Sequence, residues 1–286
     1  MIRVGKIHPQ GTVEMEPVRL RGVGLRVVWV GGFMLRPAKY AVAAAAFAAS
    51  VGAGWAADLP VAVKAAPAPA YLAGPWFNLF GGVTASPDSI YGEAGAVFAF
   101  NRNLDVPGWL FRVKGGGGHY QYNIVPGVRQ GVDFEAGEVM VGYQTFIGQT
   151  RLTGYFGANV EHHDNPDPLA KVKGTRGGAK LQGEIYAPLS PTWYFFALAN
   201  VSSVFSSYYT QAKLGYRVMP GIAIGPEVQA LGNERFDNVR FGPFIAFDIA
   251  PRAQVILSGG YSWDERRDAV NDHSGGYASI HIRGDL

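Results

Sequence analysis

The densest set of chemically capable side chains in the sequence is Glu161-His162-His163-Asp164. A histidine pair flanked by carboxylates could bind a metal or supply a general base. Side chains on a strand alternate between its two faces, so only one of the two adjacent histidines can serve a given site. The set also sits at the border of a strand and a polar run, so it reads as structural and solvent-facing. His119 and His281 are isolated and read as polar lining. No Gly-x-Ser-x-Gly turn or zinc-protease helix motif occurs, and Gly115–Gly118 lacks the Lys-Ser/Thr that a phosphate loop needs. Cysteine is absent, which excludes thiol chemistry and cysteine-ligated metals. No catalytic, cofactor-binding or metal-binding residue is expected.

The elements that must position any site begin at Pro75. From there to the end the sequence is a relay of alternating segments separated by turns. In Ala179–Ala187, Ala179, Leu181, Ile185 and Ala187 oppose Lys180, Gln182 and Glu184. The rhythm returns at Val239–Ile249 and Ala278–Arg283, giving half-apolar strands. About twelve such segments, with no helical segment between them, predict a single closed antiparallel transmembrane β-barrel, with ten to fourteen strands compatible. Short turns after the fourth, sixth, eighth and tenth segments predict periplasmic connections. Polar loops, the longest at 162–178, predict the outer side. Asn123 to Gly131 reads as another loop, and the seventh segment, Trp193–Val201, is nearly apolar on both faces.

Charged residues are 16% of the chain, below the roughly 25% of ordinary soluble domains, and there are 39 glycines. The basic balance is local. Residues 1–57 carry seven Lys or Arg against two Glu, leaving 18 against 20 in the remainder. No basic, aromatic-lined surface for nucleic acid therefore survives beyond the leader. Residues 34–56 have the order of a secretory signal peptide: Arg36 and Lys39, an apolar run from Tyr40 to Val51, then small residues at Gly54 and Ala56. Translation is expected to start at Met34, with 1–33 a mis-assigned N-terminal extension. Residues 57–74 read as a Pro/Ala-rich periplasmic arm, and 75–286 as the barrel.

At one strand parity lie Arg112, Glu138, Arg151, Glu161, Lys180, Glu184, Lys213, Arg217, Glu227, Arg240, Asp248 and Arg283. In a membrane barrel these face the lumen, and their mixed signs predict a narrow or plugged interior closed by ion pairs. In a soluble sandwich they would form the solvent face; the export signal and the paired loop lengths favour the barrel. Tyr120, Tyr122, Tyr208, Tyr209, Trp263 and Tyr277 lie near loops or the inner surface. They combine flat apolar faces with polar tips and are the candidate contacts to sugar.

The signal peptide, the Ala-Pro arm, the opening Gly74–Gly82 stretch (Gly-Pro-Trp-Phe-Asn-Leu-Phe-Gly-Gly) and the late Gly259-Gly-Tyr-Ser262 stretch resemble the cellulose biosynthesis protein S family of alphaproteobacteria. The resemblance spans about residues 72–286. It implies an outer-membrane barrel, in contact with lipid, that assists export or surface organisation of cellulose without making glycosidic bonds. The implied partners are the cellulose-secretion machinery and the glucan. A general porin or adhesin is the first competing reading, and a lipid- or polysaccharide-modifying barrel enzyme the second.

Overall fold

The computed structural model describes residues 74–125, 128–235, 237–264 and 274–286. The signal peptide, the Met34 start and the Pro/Ala arm lie outside the described residues. The described chain forms twelve antiparallel strands: β1 (Phe77–Ser86), β2 (Ser89–Ala99), β3 (Gly108–Val125), β4 (Val128–Ile147), β5 (Thr150–Asp164), β6 (Gly174–Pro188), β7 (Trp193–Ser202), β8 (Tyr208–Met219), β9 (Ile222–Gly232), β10 (Asp237–Ala250), β11 (Ala253–Asp264) and β12 (Gly275–Asp285). Each strand pairs with its sequence neighbours, and β1 pairs with β12 to close the barrel. The seam is tied at its end by the Trp76 amide donating to the Leu286 carbonyl at 2.9 Å. Closure leaves no open edge, the condition for β-structure inside a bilayer.

The alternation of residue types sets which way each strand turns its faces. Leu79, Val83, Val139, Phe156, Leu181, Ile280 and Ile282 are exposed on the outer surface. Apolar residues facing outward are what hydrocarbon selects. Near the ends of the strands that surface carries aromatic pairs. Trp109–Tyr143 and Trp193–Tyr216 stand at the end shared with the chain termini, with ring centroids 5.4 and 4.9 Å apart, and Tyr261–Trp263 at the other, 4.9 Å apart. Amphipathic rings at these two levels form the interfacial girdles of a membrane barrel. The protein is an outer-membrane β-barrel.

Three segments differ from their sequence reading. Asn123 to Gly131 is not a loop. Tyr122 pairs with Gln130 and Asn123 with Arg129, so β3 and β4 stay paired as far as Val125 and Val128. Polar side chains do not end a strand that has risen above the bilayer, because both of its faces then meet water. The polar run 162–178 shortens for the same reason, His162 pairing with Thr175 and Glu161 with Arg176. Strand β8, expected from Ser206, begins at Tyr208 after a 3-10 turn at Val204–Ser206. The Gly115–Gly118 run permits close approach. A Cβ at Gly116 would stand 2.6 Å from the Gly92 carbonyl oxygen, and one at Gly117 2.7 Å from that of Phe134. Strands β2 and β4 can fold tightly against β3 only because side chains are missing there.

Candidate functional site: the barrel lumen

Contacts between strands that are not neighbours identify the inner face, since such side chains can meet only across the lumen. Arg112 on β3 reaches Glu184 on β6 at 3.1 Å and Glu138 on β4 at 3.3 Å. Lys180 on β6 meets Glu138 at 2.6 Å. Lys114 on β3 holds Glu93 on β2 at 2.8 Å and lies 3.9 Å from Glu138. Glu138, with only 3% of its side chain exposed, is thus surrounded by three cations. On the opposite wall Lys213 pairs with Glu227 at 2.9 Å, and the Ser258 hydroxyl donates to Glu227 at the same distance.

The remaining charged residues are distributed around this belt. Arg217 donates to the Tyr186 hydroxyl at 2.9 Å and to the Pro191 carbonyl at 3.2 Å. Arg283 donates to Gln254, whose amide donates in turn to Asp248. Glu161 accepts from Asn159 at 3.0 Å. Arg151 lies in register with Tyr186, and Arg240 with Gln229 and Ser262.

The lumen is also packed with apolar groups, among them the loop residue Leu104, which the parity pattern does not reach. At the terminal end the 100–107 connection turns inward. Its Leu104 is buried with Val97, Ala99, Leu110, Met140 and Tyr155. That segment is fixed by the Leu104 amide donating to the Pro75 carbonyl at 2.8 Å, and by the Gln144 amide donating to the carbonyls of Leu104 and Val106. An exposed ion pair, Arg252–Asp105 at 3.0 Å, joins it to the β10–β11 turn and raises the Arg252 pKa further. Opposite, Tyr194, Ala223, Phe244 and Ala246 pack with Tyr186 and Ile256. This cluster explains the two apolar faces of β7, because Tyr194 is the inward residue at a mouth filled with rings and aliphatics.

At the other mouth Phe205 folds inward and is 1% exposed, with Val172 and Val204. Its backbone is left-handed (φ 50°), a conformation that a bulky residue adopts only under strain of about 1–3 kcal/mol. Burying the ring stabilises by a comparable ~1.5–3 kcal/mol, and the Arg176 guanidinium lies 4.6 Å from its centroid.

Adjacent histidines separate as strand geometry requires. His162 reaches Thr175 at 2.8 Å. His163 points inward, stacked on Phe134 at 5.3 Å and edge-on to Phe205 at 5.0 Å. Its Nε2 is 3.6 Å from Glu161. His119 stands beside Asp133 at 2.8 Å. Among the described residues no group of three or more His, Cys, Asp or Glu is placed to hold a metal ion.

The candidate sugar contacts form no single row. Tyr91 stacks on Phe134 at 5.7 Å, Tyr120 lies beside Phe134 at 5.8 Å, and Tyr122 stacks on Tyr120 at 6.5 Å. The Tyr120 hydroxyl is 3.2 Å from His163, and that of Tyr122 donates to Asn165 at 3.0 Å. Tyr208 donates to Asp237 at 3.0 Å, and Tyr209 pairs in register with Asn200 and Leu231. Tyr277 is buried on the inner face. Trp263 is different: it faces outward against Tyr261, one residue from the buried Ser262, and meets the membrane boundary rather than the lumen. Tyr91, Phe134 and Phe205 complete the aromatic wall and were not singled out by sequence. The two-residue alternation around Phe134 was the available signal.

Residues 78–286 match a family model described as Cellulose biosynthesis protein BcsS. No curated protein matches the chain. Among solved structures it is similar in form to KdgM porin, at 8% identity over 73% of this chain and 99% of that one, TM-score 0.44. A TodX deltaS2S3 mutant monoaromatic hydrocarbon channel aligns at 8% identity over 77% and 91%, TM-score 0.47. LpxR from Salmonella typhimurium aligns at 12% identity over 73% and 100%, TM-score 0.44. Likenesses this distant carry nothing about what those barrels transport or act on.

Proposed function

We propose that this chain, which belongs to the family of cellulose biosynthesis protein BcsS, serves cellulose production as a non-catalytic accessory that assists export or surface organisation of the glucan. The family supplies the process. The observation that carries the role is the filled lumen: Leu104 and Phe205 are buried at opposite mouths, and Arg112–Glu184 and Lys180–Glu138 link strands β3 to β6 and β4 to β6 between them. An interior so occupied suits a rigid platform held in the outer membrane better than a passive conduit. The aromatic wall of Tyr120 and Tyr122, with Tyr209 and Tyr277, offers ring faces and hydroxyls at the outer end, and Tyr208 offers another on the opposite face of β8. Pyranose rings present an apolar face and hydroxyls together, so these side chains are the proposed glucan contacts. The secretion machinery is the proposed protein partner.

A clean deletion tests the reading, with extracellular cellulose scored separately from synthase abundance and total glucan synthesis. The expected result is reduced or disorganised extracellular cellulose while synthesis continues. Unchanged extracellular cellulose, together with solute-selective conductance from the purified barrel, replaces this reading with that of a porin. A second measurement separates an accessory from an enzyme. Substituting His162→Gln and His163→Gln together is expected to leave the cellulose phenotype intact, because the two rings lie on opposite faces of β5. Loss of function in a variant that still migrates as a folded, heat-modifiable barrel would favour catalysis.

A further inference from the structure

Six buried polar side-chain atoms lack a hydrogen-bond partner among the described residues. Three of them have an ionic partner close by: Arg112 Nε and Glu138 Oε1 face each other at 3.3 Å, and His163 Nε2 is 3.6 Å from Glu161. The other three, Arg240 Nε, Tyr277 Oη and Ser279 Oγ, have neither a hydrogen bond nor an ion pair within 4 Å among the described residues. Their residues are 8%, 5% and 7% exposed, so each is more than nine-tenths withdrawn from solvent.

These three belong to one place on the inner face, near the outer ends of β10 and β12. The Arg240 guanidinium lies 5.6 Å from the centre of the Tyr277 ring. Ser279 follows two residues later on the same face of β12, about 7 Å along the strand. Between them β11 presents Gly260, where a Cβ would stand 2.7 Å from the Gly242 Cα. The β11 position in register with Tyr277 therefore carries no side chain.

None of the polar neighbours of Arg240 among the described residues accepts from its Nε. Its β9 neighbour Gln229 donates to Glu227, and Glu227 is held by Lys213 and Ser258. On β11, Ser262 donates to Asn238 at 2.7 Å. A guanidinium withdrawn from water with no hydrogen-bonded ion pair is costly, and its fork geometry matches carboxylate and phosphate oxygens. The two hydroxyls can each donate as well.

We propose that Arg240, Tyr277 and Ser279 form an oxyanion-binding site in the outer part of the lumen, which takes the carboxylate or phosphate group of a small soluble ligand such as an acidic saccharide. The site faces the barrel interior, so a headgroup anchored in the surrounding bilayer does not reach it. This inference does not depend on the cellulose reading and can stand or fall without it.

The test is calorimetric titration of the detergent-solubilised full barrel with inorganic phosphate and with D-glucuronate, using D-glucose as the neutral control. Saturable binding of at least one anion is expected, weakening as salt is raised. Arg240→Gln is expected to weaken it by about tenfold or more. Tyr277→Phe, which keeps the ring, and Ser279→Ala are each expected to weaken it by about three- to tenfold. Heat-modifiable migration verifies the fold of each variant. If Arg240→Gln does not fold, the two hydroxyl deletions decide the matter alone. The proposal is overturned if neither anion binds the wild-type barrel, if glucose binds equally well, or if the folded variants bind like the wild type.

Discussion

Substituting Glu138→Gln is expected to lower the stability of the folded barrel by about 3–5 kcal/mol, the cost of leaving buried charge uncompensated. The carboxylate accepts Lys180 at 2.6 Å, faces Arg112 at 3.3 Å and lies 3.9 Å from Lys114. Arg112 retains Glu184 and Lys114 retains Glu93 when the charge is lost. Lys180, with a side chain only 12% exposed, has no other ion pair among the described residues, so it carries most of the penalty. Removing it as well should therefore help: Glu138→Gln with Lys180→Met is expected to be more stable than Glu138→Gln alone. The measurement is the urea midpoint at which the refoldable barrel loses its compact electrophoretic form. An unchanged midpoint for Glu138→Gln would mean that water in the lumen screens the belt and that it contributes little.

A comparably large effect is expected one residue further along β6, for a different reason. Leu181 is 57% exposed on the outer face, where it pairs with Phe156 on β5 and Val201 on β7. Substituting Leu181→Arg moves a charge into hydrocarbon, at a cost of about 2–4 kcal/mol near the bilayer midplane. Insertion into vesicles should slow, and the folded fraction at equilibrium should fall. Lys180 already places a cation at the adjacent position without harm, because it points into the lumen and meets Glu138. A Leu181→Arg barrel that inserts and resists urea like the wild type would reverse the assignment of inner and outer faces.

This pair of neighbours shows what the sequence by itself determined. A two-residue period fixes which side chains share a face. The separation of Lys180, Gln182 and Glu184 from Leu181 and Ile185 was therefore legible, as were a count of about twelve strands and the antiparallel order imposed by short turns. The same rule placed His162 and His163 on opposite faces before any contact was visible. Strand ends were less legible. Tyr122–Asn123 and Arg129–Gln130 are polar because they stand in water above the bilayer, and polarity there resembles a loop.

Only the tertiary structure decided what fills the lumen. Closing the sheet brings β3 opposite β6, and that closure alone makes Arg112 and Glu184, 72 positions apart, a pair. Period says nothing about distances across a barrel. The inward turns of Leu104 and Phe205 were equally hidden, because a loop has no periodicity to read and its direction is set by what it packs against. The Arg240 Nε, Tyr277 Oη and Ser279 Oγ atoms, without a hydrogen bond among the described residues, follow from the same fact: whether a polar side chain is satisfied depends on neighbours supplied by other strands.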